Sequence, residues 1–233
     1  MMQMVETKRG TWAVSYKYSE SGYVRAAYHL IIEFEDVGFA EGERQVLTHL
    51  SKLLDTQSMV DVTFIVKNEK IGAHSAIVVS GSPVICVMLE KDKFKEGQTK
   101  VVEVEDIEPA VFKEMLRYLY TGRAPKLDED DMTEPLFLAA DKYQIVGLVD
   151  LCVQSLIRKL NLETVVRYLV LAHLYTAPQL LEASLQILEH KKGILNRVEW
   201  KQLNENYPDL FFLAKCRMMG PQREQINWIN KNR

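Results

Sequence analysis

From Asp61 onward the spacing of apolar positions alternates between two periods, and the elements follow from it. Val62, Phe64 and Val66 alternate with polar or outward positions, which predicts a strand over residues 61–66. Residues 67–70 read as a polar turn, and a short second strand follows through Ile71. A small-residue apolar pattern around His74–Val79 predicts a helix. Ser82-Pro83 restarts one, because serine caps free N–H groups and proline suits the first helical position. Residues 100–104 read as a strand. Glu108-Pro109 then opens a helix with Val111, Phe112, Met115, Leu116 and Leu119 on one face, ended by Thr121-Gly122.

The flanks are read in the same way. Trp12, Val14, Tyr16 and Tyr18 alternate, as do Leu30, Ile32 and Phe34, so two strands are expected with Ser19–Gly22 as their turn. Residues 41–54 read as a helix with Val46, Leu47, Leu50, Leu53 and Leu54 on one stripe. Pro135 places a helix start at Glu134 or Pro135 and leaves the acidic run 128–131 as a solvated loop. Helical spacing resumes over 146–160. Asn161 caps a further helix with Leu162, Val165, Val166, Leu169 and Val170 inward, and Pro178 opens another with Leu181, Leu185 and Leu188.

Composition narrows the function classes. The chain has 233 residues, 47% of them hydrophobic and 26% charged, as expected of a globular protein rather than a disordered one. A net charge of −3 argues against a nucleic-acid partner, since phosphate binding needs a basic surface. No apolar run approaches the ~20 residues that span a bilayer, and no secretory signal is read, so no membrane partner is expected. Cys86, Cys152 and Cys216 are widely spaced and odd in number, which points to a reducing cytosolic or nuclear setting.

Chemistry is sparse. His29, His49, His74, His173 and His190 do not group with the cysteines at metal-ligand spacing, and no glycine-rich phosphate loop is present. Asp61 and His74 lack a positioned nucleophile, so His74 is read as a hydrogen-bonded structural residue. No catalysis, metal or cofactor is expected.

The residues Asp61-Val62-x-Phe64-x-Val66, Ala73-His74, Ser82-Pro83, Met88, Val111-Phe112 and Tyr118-Leu119-Tyr120-Thr121-Gly122 resemble, in this order, the BTB/POZ domain. The downstream run AADKYQIVGLVDLCVQSL extends the likeness. Within that family the chain looks most like the speckle-type POZ proteins, substrate adaptors of cullin-3 ubiquitin ligases. The resemblance implies an α+β fold, a helical cluster with a small β-sheet, followed by an all-α region similar to BACK. It divides the chain into an N-terminal arm or MATH remnant (1–40), a BTB/POZ domain (41–160), BACK-like helices (161–219) and a tail (220–233).

The resemblance also assigns sites. Val46, Leu47, Leu50 and Leu53, with Ile77, fall on positions that make the dimer in such proteins. Phe94-Lys95-Glu96 matches the hydrophobic-x-Glu pattern of the cullin-binding loop, with Met88 and Tyr120 beside it. Phe94 would be the apolar anchor and Glu96 the hydrogen-bond acceptor. Some positions depart from the family. Ser75 stands where a lysine or arginine is common, Val84-Ile85 replaces an aromatic pair, and Glu189 replaces an aromatic used in self-association. The segment KLDEDDMTEPLFLAADKY is longer, and the basic residues of the tail are scattered, so no nuclear signal is read. The expected function is a dimeric adaptor that docks on cullin-3 and presents an unknown substrate for ubiquitination. The alternatives are a modulator that heterodimerises with full-length relatives and a BTB scaffold or transcription regulator that does not bind cullin.

Overall fold

The computed structural model describes residues 2–7, 11–16, 29–33, 37–90, 94–129, 131–190 and 198–219, with side chains from residue 41 onward except 190 and 219. The chain divides into two compact units, Met1–His49 and Leu50–Arg233.

The first unit contains an antiparallel sheet of order β1-β2-β3, formed by Met2–Thr7, Thr11–Tyr16 and His29–Glu33. Trp12 pairs with Ile32 and Val14 with Leu30, so the two expected strands are partners. The strand β1 is additional to the expectation. Its residues have no clean alternation, and its pairing with β2 from Met2↔Tyr16 to Thr7↔Thr11 defines it. Tyr18, Phe34 and the turn at Ser19–Gly22 lie outside the described residues. The helix α1 runs Val37–Thr56, longer than the stretch 41–54 expected from the sequence. Gly38 and Gly42 obscure its start, since each glycine costs a helix about 1 kcal/mol relative to alanine.

In the second unit, β4 (Val62–Val66) is the centre of a sheet of order β5-β4-β6. It pairs antiparallel with β5 (Glu69–Ala73) and parallel with β6 (Val101–Val104), with Phe64 opposite Ile71 and Val102. Val62, Phe64 and Val66 are buried, as their alternation requires. The parallel pairing needs a crossover, supplied by α2 (Ser75–Gly81), α3 (Pro83–Met88) and α4 (Lys95–Thr99). The Ser82 oxygen accepts from the Ile85 N–H at 3.1 Å and its hydroxyl donates to the Tyr143 carbonyl at 2.7 Å. One buried serine thus starts α3 and ties it to a residue far along the chain.

The core helix α5 (Pro109–Thr121) buries Val111, Phe112, Met115 and Leu116 against the sheet, with Phe112 at 4.9 Å ring-centroid distance from Phe64. Gly122 ends it with φ 66°. α6 (Thr133–Lys142) starts a residue earlier than expected, with Pro135 inside its first turn. α7 (Val146–Arg158), α8 (Val165–Leu174), α9 (Pro178–His190), α10 (Val198–Asn206) and α11 (Pro208–Met219) follow. Asn161 Oδ1 accepts from the N–H groups of Glu163 and Thr164, so it caps the turn that leads into α8. Two apolar clusters result. One joins β4, β5, β6, α2, α3 and α5 to α6, α7, one side of α8 and the start of α9; the other joins α8, α9, α10 and α11 around Trp200, Leu203 and Leu210. Among the described residues, no helix is long and apolar enough to cross a membrane.

Candidate functional site

Phe94, Lys95 and Glu96 sit together where the chain leaves α3 and returns to the sheet. Phe94 is the N-cap of α4 in an extended conformation, φ −132° and ψ 152°. Its side chain is 46% exposed and is absent from both apolar clusters. The Phe94 carbonyl accepts from the N–H of buried Gly97 at 3.2 Å, so the turn that presents Phe94 is hydrogen-bonded from beneath. Lys95 is exposed and Glu96 half-buried in the first turn of the same helix. Met88, the last residue of α3, is half-buried and packs on the core. Residues 91–93 of this loop lie outside the described residues.

Tyr120 is the least accessible of the expected docking residues. It is 2% exposed, and its hydroxyl is engaged by His74. A neutral imidazole fits these partners in one tautomer. The Ser58 carbonyl only accepts, so His74 Nε2, 2.7 Å away, carries the ring proton. Nδ1 then accepts from the Tyr120 hydroxyl at 2.6 Å, while the Tyr120 oxygen accepts from the His74 N–H at 2.8 Å. Burial also pushes the Tyr120 phenol up from its ordinary value. The pair therefore locks β5 and α5 together behind the surface, and His74 is the structural residue that the sequence suggests.

Beside it, Asp61 accepts from the Ser75 N–H at 2.6 Å and the Ser75 hydroxyl at 2.5 Å. These bonds hold its carboxyl below the ordinary carboxylate value, the hydroxyl contributing most. Ser75 thus satisfies the aspartate where a basic residue would face it.

The positions expected at a dimer contact have different surroundings. In the first unit, Val46 is 56% exposed and Leu47 half-buried. In the second, Leu50 and Ile77 are half-buried and pack on the core, and Leu53 is half-buried. The end of α1 is fixed within this unit by Arg117, which donates to Ser51 at 3.2 Å and to Asp55 at 2.7 Å.

Two polar features carry no period that a sequence reading could find. Glu114 is buried on the core side of α5 and accepts from the Lys126 N–H at 2.8 Å. Asp128, expected in a solvated loop, accepts from the Ser155 hydroxyl and from Arg158 at 3.3 Å. Lys159 adds a bond to the Thr133 hydroxyl at 2.7 Å. The acidic segment is therefore tied to the end of α7. Asp130 lies outside the described residues.

The BTB/POZ domain family model matches residues 50–160, the span from the end of α1 to the residues just after α7. Residues 50–160 are a BTB/POZ domain. BTB domains mediate dimerisation and bind protein partners, so this part of the chain is a protein-interaction module. The chain is 35% identical over 169 residues to TD and POZ domain-containing protein 5 of Mus musculus, covering 72% of this chain and 49% of that protein. It is 33% identical over 187 residues to TD and POZ domain-containing protein 3 of Mus musculus, covering 76% and 51%. The chain thus spans about half the length of these relatives. A solved structure of the BTB (Tramtrack and Bric a brac) domain of human gigaxonin shares 24% identity with a TM-score of 0.40, covering 54% of this chain and 97% of that one.

In this BTB domain, only part of the expected docking set lies at the surface. Phe94, Lys95 and Glu96 share one short exposed element, Met88 supports the helix before it, and Tyr120 belongs to the interior.

Proposed function

We propose that this chain is a dimeric adaptor whose BTB domain docks on cullin-3 through Phe94 and Glu96, with the helices beyond residue 160 acting as a BACK-like region. One observation carries the reading: a large aromatic side chain, 46% exposed, at the cap of a hydrogen-bonded helical turn. An aromatic anchor on an ordered turn buries much apolar area in a partner at small entropic cost. Glu96, two residues after Phe94 in the first turn of α4, would accept hydrogen bonds and bias the partner's charge. Ubiquitin transfer would be the work of the recruited ligase, and this chain would supply binding and geometry.

Calorimetric titration with the cullin-3 N-terminal domain tests it. Truncating an aromatic hot spot commonly costs ~2 kcal/mol or more, so Phe94→Ala is expected to weaken binding about thirtyfold. The dimer and the thermal unfolding midpoint should stay as they are, because Phe94 belongs to neither apolar cluster. Glu96→Lys should weaken binding as well. Equal affinity for wild type and Phe94→Ala would remove this segment as the docking site.

A further inference from the structure

Lys100 caps the short helix that follows Phe94, and it touches both the sheet and the end of α3. It caps α4 in the left-handed conformation, φ 57° and ψ 27°. Its N–H donates to the Glu96 carbonyl at 2.8 Å, and its carbonyl accepts from the Thr63 N–H of β4 at 2.9 Å. The end of α4 is thereby fixed to the sheet. The Lys100 ammonium then reaches back to the Leu89 carbonyl, the C-cap of α3, at 3.4 Å. Glycine or asparagine is the usual residue at a helix end of this conformation, because a side chain is strained there. The chain carries lysine instead, and the ammonium bridges two carbonyl-rich helix ends that glycine could not join.

We propose that Lys100 is a positioning residue for the docking segment, a clamp that sets Phe94 and Glu96 at a fixed place relative to β4. This rests on the docking reading given above. The physical basis is preorganisation: a segment tied at both ends loses less freedom when a partner seats on it. Lys95, the first residue of the same helix, receives a bond from the Thr99 hydroxyl to its carbonyl at 3.1 Å, which stiffens the turn without tying it to α3. The tie between α3 and α4 through Lys100 is therefore a separate element of order.

Lys100→Met keeps the aliphatic stem and the backbone strain while removing the cation. Lys100→Arg keeps a cation. Hydrogen exchange of the amides from Phe94 to Thr99 should be about three- to tenfold faster in Lys100→Met, the size expected for one lost hydrogen bond, and near wild type in Lys100→Arg. Affinity for the cullin-3 N-terminal domain should fall by a similar factor in Lys100→Met and be restored in Lys100→Arg. Exchange in the rest of the BTB domain should be unchanged. Wild-type exchange and affinity in Lys100→Met would overturn the clamp. Faster exchange with undiminished affinity would overturn its positioning role, provided that Phe94→Ala weakens binding in the same assay. If wild type itself does not bind, the docking reading fails instead, and the exchange rates alone decide whether Lys100 ties the segment.

Discussion

Gly122 isolates a single conformational effect. It ends α5 at φ 66°, and a Cβ built there meets nothing within 4 Å. Any cost of a side chain is therefore backbone cost, not crowding. Gly122→Ala should lower stability by about 1 kcal/mol, the usual cost of the left-handed region to an L-residue. Urea denaturation should show a lower midpoint with an unchanged slope. Gly81 is the contrasting case, since a Cβ there would lie 2.5 Å from Leu119 Cδ2 and would crowd the packing of α2 on α5. At the same scale, Cys152 is fully buried in α7, and burial pushes its thiol up to about 12. It behaves as a small apolar residue rather than a nucleophile.

Helix and strand ends are held by paired carboxylates, and this sets the response to acid. Hydrogen bonds from Arg117, Ser75, Lys142 and Ser155 hold Asp55, Asp61, Asp106 and Asp128 respectively below the ordinary value of 3.8. A carboxyl whose folded pKa is depressed stabilises the fold above its unfolded pKa. That contribution is lost as the pH falls through the folded value. All four side chains are exposed, so solvent screening keeps each contribution small. Ser75→Ala removes the hydroxyl that contributes most at Asp61 and leaves the Ser75 N–H donating. The variant should be less stable than wild type at pH 6 and should approach it at pH 3. Denaturant midpoints at the two pH values check this, and a constant gap between the proteins would contradict the role given to Asp61.

For the molecule as a whole, the proposed dimer contact can be probed at single positions. Leu50 and Ile77 pack on the core of the second unit, so a charge at either would disturb folding as well as association. Val46 is a cleaner probe, since its side chain is 56% exposed. If α1 makes the proposed dimer contact, Val46→Asp should sediment as a folded monomer with an unaltered thermal midpoint. A stable dimer would take Val46 out of the interface. The apolar cluster around Trp200 is distinct from the one around Phe112, although Leu160 and Leu181 pack against both. The helices after α7 thus share a cluster around Trp200, while Tyr168, Leu171 and Ala172 of α8 and Leu180 of α9 are buried in the cluster of Phe112.

The features that the sequence settles by itself are local ones. The alternation at Val62, Phe64 and Val66 needs only the two-residue period of a strand with one buried face. The start of α3 at Ser82-Pro83 and the stop of α5 at Gly122 are read from residues whose chemistry acts within one helical turn. The resemblance to the BTB domain rests on residues of these elements taken in order, from Asp61-Val62-x-Phe64-x-Val66 to Tyr118-Leu119-Tyr120-Thr121-Gly122. The tertiary structure alone decides what depends on partners distant in the chain. Tyr120 sits one position from the exposed side of its helix, and only the approach of His74, 46 residues earlier, makes it an interior hydrogen-bonding group. Asp128 is exposed, as a solvated acid should be, but its bond from Ser155 of α7 has no signal in the sequence. Lys100 gives no sign of its left-handed backbone or of its reach to Leu89, since neither is a property of lysine. Periodicity reports which face of an element is buried; it carries no information about which polar atom will meet which across the fold.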